Sequence, residues 1–362
     1  MSRGLFTEGS PILMQLAEDG EKTAKKQAEK YGKHLENVDI ENAVNDFALR
    51  KATTLIQEYS VIAYDLSDIA KVAAEKMEKL SKVFDGSERE KANGYFLHGV
   101  GVHDLLLALQ VHDPDAEFMP QIRKQIIERI IEEIGTKGIW AFDRGNDDKK
   151  LFREMNKKEA KFIVRLKENR NVILCDSGEV YGVDELKCGR YEVFILDDHG
   201  YVDRENRYLL IIRKHLKKEQ QPIRLLCSLN IRKFSNKKLV ILYLKRWGIE
   251  NGFKRIKSLY KLEDIRLMKF QRIKSLIALI QFVSVISAML YKKAKKAICF
   301  VSLQIKTTYK KFLKQKSRTY NLHSFGVFLK DYFPPPAYDA KIARRRLQPT
   351  LFSSIHRKLG EM

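Results

Sequence analysis

Apolar residues follow a helical rhythm at the start of the chain and give way to short strand-like runs near residue 58. In residues 1–57, Leu13, Leu16 and Ala17 are followed by a Lys/Glu-rich stretch, then by Ile40, Val44 and Phe47 at helical spacing. From Tyr59 on, three runs rich in β-branched and aromatic residues read as strands: YSVIAYD (59–65), YFLHGVGV (95–102) and LLLALQV (105–111). A linker holding Asp85-Gly86 separates the first from the second. QIRKQIIERIIEEIG (121–135) has an amphipathic helix period and stops at Gly135. GIWAFD (138–143) is a further strand, then come a helix over 148–158 and the strand KFIVRLK (161–167).

The order β-β-β-α-β-α-β is that of a ribonuclease-H-like core, an α/β fold with a mixed sheet and flanking helices. Between about 172 and 229 the runs VILCD, EVYGVDEL, YEVFIL, RYLLIIRK and IRLLCSL are broken by Gly, Asp and Asn, which predicts a β-rich insertion. Helices return over 237–260, 269–296 and 301–315. The pattern divides the chain into a small helical N-terminal region (1–57), the first part of the core (58–169), the insertion (170–232), the last part of the core (233–298) and a basic helical C-terminal region (299–362). One run, Ser275 to Tyr291, is apolar enough to raise the question of a membrane span. Its 17 residues are at the lower limit of length, and with Gln281 and three serines it is expected to be a buried core helix.

Charge adds a partner to this picture. The net charge of +22 is concentrated in one place: residues 1–232 hold 38 basic and 40 acidic residues, and 233–362 hold 30 basic and 6 acidic. Such a basic third predicts a polyanionic partner, and nucleic acid is the first candidate. Basic runs at 292–296 (KKAKK), 310–316 (KKFLKQK) and 343–346 (ARRR) interleave with Tyr309, Phe312 and Tyr320, a texture suited to holding a DNA backbone without reading sequence. The four cysteines are scattered with no CxxC pair, so neither a zinc knuckle nor a disulfide framework is expected. No leader-like segment opens the chain, and a cytoplasmic, nucleoid-associated place is expected.

The candidate chemistry centres on Tyr243 to Lys257, YLKRWGIENGFKRIK. At about 100° per residue, Tyr243, Arg246, Glu250 and Lys257 fall on one helical stripe within an arc of roughly 60°. Beside it runs an apolar stripe of Leu242, Ile249, Phe253, Ile256 and Tyr260. Alone, Glu250 reads as half of a surface ion pair. Asp65 and Asp143 change that reading, because each ends an apolar strand-like run, where a carboxylate is costly without hydrogen bonds or a cation. Three carboxylates drawn together from two strands and a helix repel one another, and a hard divalent cation such as Mg²⁺ resolves the conflict. Two such ions suit in-line phosphoryl displacement. Asp68 is the rival of Asp65 as first ligand.

These residues carry a resemblance. The chain resembles DDE transposases of the bacterial insertion-sequence type, in the group marked by Tyr-x2-Arg-x3-Glu-x6-Lys, which Tyr243, Arg246, Glu250 and Lys257 match in position. Trp247 after the Arg is also common there. The resemblance covers about residues 59–290. It implies a cut-and-paste transposase that cleaves transposon ends and joins them to target DNA, with Asp65, Asp143 and Glu250 holding two Mg²⁺ ions that Mn²⁺ can replace. It implies DNA contacts by Tyr243, Arg246, Trp247, Lys254 and Lys257, double-stranded DNA as partner, a homodimer on paired ends, and no membrane. Asn146 departs from the pattern, since relatives often place an aromatic after Arg-Gly. A nuclease of the same fold and an inactive DNA-binding relative are the alternative readings. The cluster His98, His103, Asp104, His112 and Asp113 is expected to be core and turn residues, with His98 near the carboxylates.

Overall fold

The structure, a computed structural model, describes residues 1, 4–5, 9–17, 23–85, 90–103, 105–116, 118–196, 200, 202–214 and 222–308, with 292–308 as helix backbone. The basic runs expected to hold DNA, KKAKK by its side chains and the two later ones entirely, lie outside the described residues, as does Asp104. In chain order the helices are α1 (Leu13–Leu16), α2 (Ala24–His34), α3 (Val38–Thr53), α4 (Met119–Ile134), α5 (Lys149–Lys157), α6 (Asn236–Leu244), α7 (Gly248–Tyr260) and α8 (Phe270–Thr308). The strands are β1 (Val61–Ala70), β2 (Ser81–Asp85), β3 (Glu90–Val102), β4 (Leu105–Val111), β5 (Ile139–Phe142), β6 (Lys161–Arg165), β7 (Asn171–Leu174), β8 (Val180–Gly182), β9 (Gly189–Ile195), β10 (Tyr208–Arg213) and β11 (Ile223–Ser228).

The chain divides into two compact units, and β1, β3 and α7 each run from one into the other. The first unit comprises Leu49–Ser67 and Phe96–Phe253. Its strands lie in the order β4-β3-β1-β5-β6-β11-β10-β9-β7-β8. β1, β5 and β6 are parallel, β3 and β4 form an antiparallel pair, and everything from β6 outward through β11 and β10 to β9 is antiparallel. The first five positions, β4-β3-β1-β5-β6, are the ribonuclease-H-like order that the chain pattern predicts. Strands β5 and β11 are buried along their whole length, as expected where helices cover both faces. On one face Val61, Ile139, Ala141, Ile163, Ile211 and Leu225 pack with Leu239, Val240, Leu242 and Tyr243 of α6. The other face carries stacked rings, Trp140 on Phe142 and Phe152 of α5 on Phe162.

The β-rich stretch expected before the last catalytic helix is present over 171–228, and its strands continue the central sheet: β11 pairs with β6, and β10, β9, β7 and β8 follow. A strand buried on both faces has its lowest free energy in a sheet interior, so IRLLCS docks against the core. One expectation changes: the helix expected over 237–260 is broken, a 3-10 turn at Lys245–Trp247 separating α6 from α7.

The second unit comprises Met1–Ala48, Asp68–Tyr95 and Lys254–Met362. Here β2 pairs with the first half of β3, from Ser81↔Gly94 to Asp85↔Glu90. Helix α8 buries Phe270, Ile273, Leu276, Ile277, Ile280 and Val283. Phe282 meets Phe47 of α3 with ring centroids 5.5 Å apart, Glu36 accepts from Arg272 and Lys269, and Glu41 pairs with Lys274. By length and composition Phe270–Tyr291 could cross a membrane, yet 67% of it is buried within the protein, which is the core-helix reading. Lys71 is buried too, and its ammonium donates to the carbonyls of Leu262, Glu263 and Ile265 at 3.1, 2.5 and 2.9 Å. All three of its protons are thereby used at the C-terminal end of α7.

Candidate active site

Register brings the two aspartates together. Strands β1 and β5 pair in parallel as Val61↔Ile139, Ile62↔Trp140 and Ala63↔Ala141. Asp65 and Asp143 each lie two residues beyond the last pair, Ala63↔Ala141, so both acids leave the ladder at the same end. Neighbouring strands are about 4.8 Å apart. An even separation from Val61 puts Asp65 on the sheet face that α6 covers. The sequence predicts that Asp65 ends its strand, and it does not. β1 runs on to Ala70, but its pairing with β5 stops at Ala63 and its fully buried stretch stops at Tyr64. Asp68 lies on this extension and pairs with Lys257 at 3.4 Å, within the second unit.

Helix α7 brings Glu250, and two glycines let it approach. A Cβ on Gly99 of β3 would lie 2.3 Å from the Phe253 ring, and one on Gly101 would lie 3.3 Å from Ile249. Gly99 and Gly101 share a strand face, and Ile249 and Phe253 share a helix face, so α7 lies down on a strip without side chains. At the start of α7, a Cβ on Gly248 would come within 2.3 Å of the His103 carbonyl oxygen. His103 itself turns the chain between β3 and β4 with φ +57°. That close approach sits where the helix expected over 237–260 breaks. A continuous-helix projection therefore does not apply across Lys245–Trp247.

The break leaves Arg246 buried, pointing at both acids. Its Nη1 donates to Asp65 Oδ2 at 3.1 Å, and its Nη2 donates to Glu250 Oε1 at 3.2 Å. Burial opposes the charge on Arg246, but Tyr243, Asp65 and Glu250 outweigh it and raise its affinity for the proton. Asp65 is pushed up to about 6: burial dominates, the charges of Asp143 and Glu250 add to it, and Arg246 with the Leu66 amide only partly offsets them. One carboxylate thus registers both others, with more negative charge gathered than one guanidinium balances.

Behind the aspartates lie two buried polar groups. Tyr64 Oη is 2.7 Å from His98 Nδ1, and His98 Nε2 is 3.3 Å from His112 Nδ1. His98 is fully buried and held down to about 3 by burial, then by His112 and Arg123, so it stays neutral. This agrees with a core role for His98 beside β1. In the second group Asn146 donates to Asp143 Oδ1 at 2.5 Å and accepts from Arg123 at 3.1 Å.

A family model described as "Transposase DDE domain" matches residues 92–286. The chain belongs to the DDE transposase family. The matched span contains Asp143 and Glu250 and begins after Asp65. Among solved structures, a piggyBac transposase synaptic complex with hairpin DNA is similar at 11% identity and TM-score 0.45, over 83% of this chain and 57% of that one. The chain therefore spans a little over half the length of that relative. No curated protein matches it.

For a DDE transposase chain, the carboxylates raise the question of a metal. Among the described residues no three His, Cys, Asp or Glu side chains are gathered closely enough to hold one as they stand. Of the three expected ligands, Asp65 and Glu250 share Arg246 as their countercharge. The donor set itself fits a hard divalent cation, being all carboxylate oxygen.

The residues expected to touch DNA divide in two. Tyr243 and Arg246 are buried, Tyr243 within the apolar cluster under the sheet and Arg246 against Asp65 and Glu250. Trp247 is 55% exposed and Lys254 is exposed, while half-buried Lys257 is engaged by Asp68. Sequence reading missed Gly99, Gly101 and Arg123; the alternating glycines of HGVGV were the available signal for the first two.

Proposed function

We propose that this chain is a cut-and-paste DNA transposase of the bacterial insertion-sequence type with the Tyr-Arg-Glu-Lys signature. In this reading it cleaves transposon ends and joins them to target DNA, acting as a homodimer on paired ends. The family supports it, and one observation carries it. Asp65 and Asp143 each follow two residues after the last register pair of two parallel strands, Ala63↔Ala141, Asp65 feels the charge of Asp143, and Glu250 is tied to Asp65 through a single guanidinium.

Asp65, Asp143 and Glu250 would hold two Mg²⁺ ions, or Mn²⁺ in their place. When bound, such ions supply the positive charge that stabilises attacking and leaving oxygens in phosphodiester exchange. No protein nucleophile is required, since water serves cleavage and a DNA 3′-hydroxyl serves joining. The residues of this chain orient and screen. Arg246 bridges Asp65 and Glu250, and the buried face around Tyr64 and Phe142 keeps water from behind the aspartates. Trp247 and Lys254, exposed on either side of Glu250 in sequence, would meet the DNA backbone in this reading. The C-terminal basic runs would add salt-dependent, sequence-independent affinity.

A strand-transfer assay tests the proposal: a transposon-end duplex, a supercoiled target plasmid and Mg²⁺. Joined products support a transposase. Cleaved ends without joined products point to a nuclease, and DNA binding without cleavage to an inactive relative.

A further inference from the structure

Asn146, the departure from the resemblance noted after Asp143, makes two side-chain bonds that an aromatic ring could not make. It lies in the 3-10 turn Arg144–Asn146 directly after Asp143 and is 7% exposed. Its Nδ2 donates to Asp143 Oδ1 at 2.5 Å, and its Oδ1 accepts from Arg123 Nη1 at 3.1 Å. An amide alone can turn over and present either end. Arg123 removes that freedom, because a guanidinium only donates, so the amide oxygen must face it and the NH₂ must face Asp143.

Arg123 is itself fixed. It is 9% exposed on α4, and its Nη2 pairs with Asp148 Oδ2 at 2.5 Å. Asp148 in turn caps α5 by accepting from the Lys150 amide at 2.9 Å. Because Asp148 neutralises Arg123, what reaches Asp143 is geometry more than charge. Gly145 completes the arrangement: a Cβ there would meet the two Asp143 carboxylate oxygens at 3.3 and 3.4 Å, so glycine keeps that side open.

From this geometry we infer that Asn146 is a positioning residue, oriented by Arg123, which ties down one oxygen of Asp143 and presents the other for a divalent cation. The inference rests on the metal reading given under Proposed function. Partners behind metal ligands are worth roughly 10–100-fold in metal affinity.

The experiment titrates the full chain, without DNA, with Mn²⁺ and follows the free-ion electron paramagnetic resonance signal. Asn146→Ala should weaken Mn²⁺ binding about ten-fold with thermal unfolding close to wild type. In cleavage assays it should raise the Mn²⁺ concentration for half-maximal rate while the saturated rate largely recovers. Arg123→Gln keeps Asn146 but frees its amide, and should weaken Mn²⁺ in the same direction; Arg123→Lys, which still donates, should restore most of the loss. Should Asn146→Ala fail to fold, the two Arg123 variants carry the test. Wild-type affinity in a folded Asn146→Ala or Arg123→Gln protein would overturn the inference alone. A wild-type chain that binds no Mn²⁺, or an Asp143→Ala variant that binds it equally well, would overturn the metal reading and this inference with it.

Discussion

Arg246 donates to Asp65 across 3.1 Å from a buried position, and the same guanidinium reaches Glu250. A planar fork holds two carboxylates in a fixed geometry, whereas an ammonium on a flexible stem fixes neither their spacing nor their orientation. Removing one partner of a buried pair leaves the other charge uncompensated, at a cost of about 3 kcal/mol or more. Glu250 is half exposed, so most of that cost falls on Asp65. Arg246→Gln is therefore expected to lower stability by about 2–3 kcal/mol in urea unfolding, and Arg246→Lys to recover less than half of it. Full recovery by lysine would show that charge alone, not the bridging fork, is what the site needs.

Asp65 makes stability depend on pH in an unusual direction. Its carboxyl is raised from about 3.8 to about 6, so ionisation is penalised in the folded state. The penalty is absent below pH 4, grows as pH rises through 6, and is complete above that, reaching at most about 3 kcal/mol. Asp65→Asn should accordingly gain stability over wild type as pH increases from 4 to 7. Adding Mn²⁺ should raise the wild-type melting temperature at pH 7.5 and leave it unchanged at pH 4.5.

His98 works against this trend. Held down to about 3 from 6.5, it stays neutral when folded but takes a proton when unfolded. Its contribution is complete above pH 6.5 and is lost as pH falls toward 3, on the order of 4 kcal/mol. Between pH 4 and 6 the two slopes oppose, so the wild-type curve should be shallow there. His98→Gln, with no ring to titrate, should lose stability less steeply below pH 6 than wild type. Parallel acid curves for the two proteins would remove His98 from the account.

Gly99 sets how closely α7 can lie. Its missing Cβ is replaced by the Phe253 ring at 2.3 Å, and overpacking of that kind costs about 1–3 kcal/mol. Gly99→Ala should push the helix away and carry Glu250 with it, reducing cleavage further than the lost stability explains. Adding Phe253→Leu should restore a good part of both, measured as a double-mutant cycle.

How much of this was legible in the chain follows from the range of the interactions involved. Strand β4 appears where LLLALQV predicts it, since an apolar run of that length has few other options. That Asp65 and Asp143 leave paired strands at the same end is legible as two acids closing two apolar runs, although β1 continues to Ala70, where Ile69 and Ala70 are buried in the second unit. Strand β2 was read as linker: SKVFD is short and half polar. The turn at Lys245–Trp247 coincides with a contact between Gly248 and the His103 carbonyl, and the burial of Arg246 goes with it. No local pattern announces a contact across that distance. Arg123 and Asn146, 23 residues apart, escape for the same reason.

The central claim is that Asp65, Asp143 and Glu250 act together on DNA. Glu250→Gln removes one charge and almost no volume, so it isolates chemistry from folding. With Mg²⁺ and a transposon-end duplex, cleavage and DNA affinity should be measured on the same preparation. The account predicts cleavage reduced by at least about 100-fold (about 2.7 kcal/mol) with DNA affinity within about two-fold of wild type. Cleavage at the wild-type rate in Glu250→Gln would contradict it.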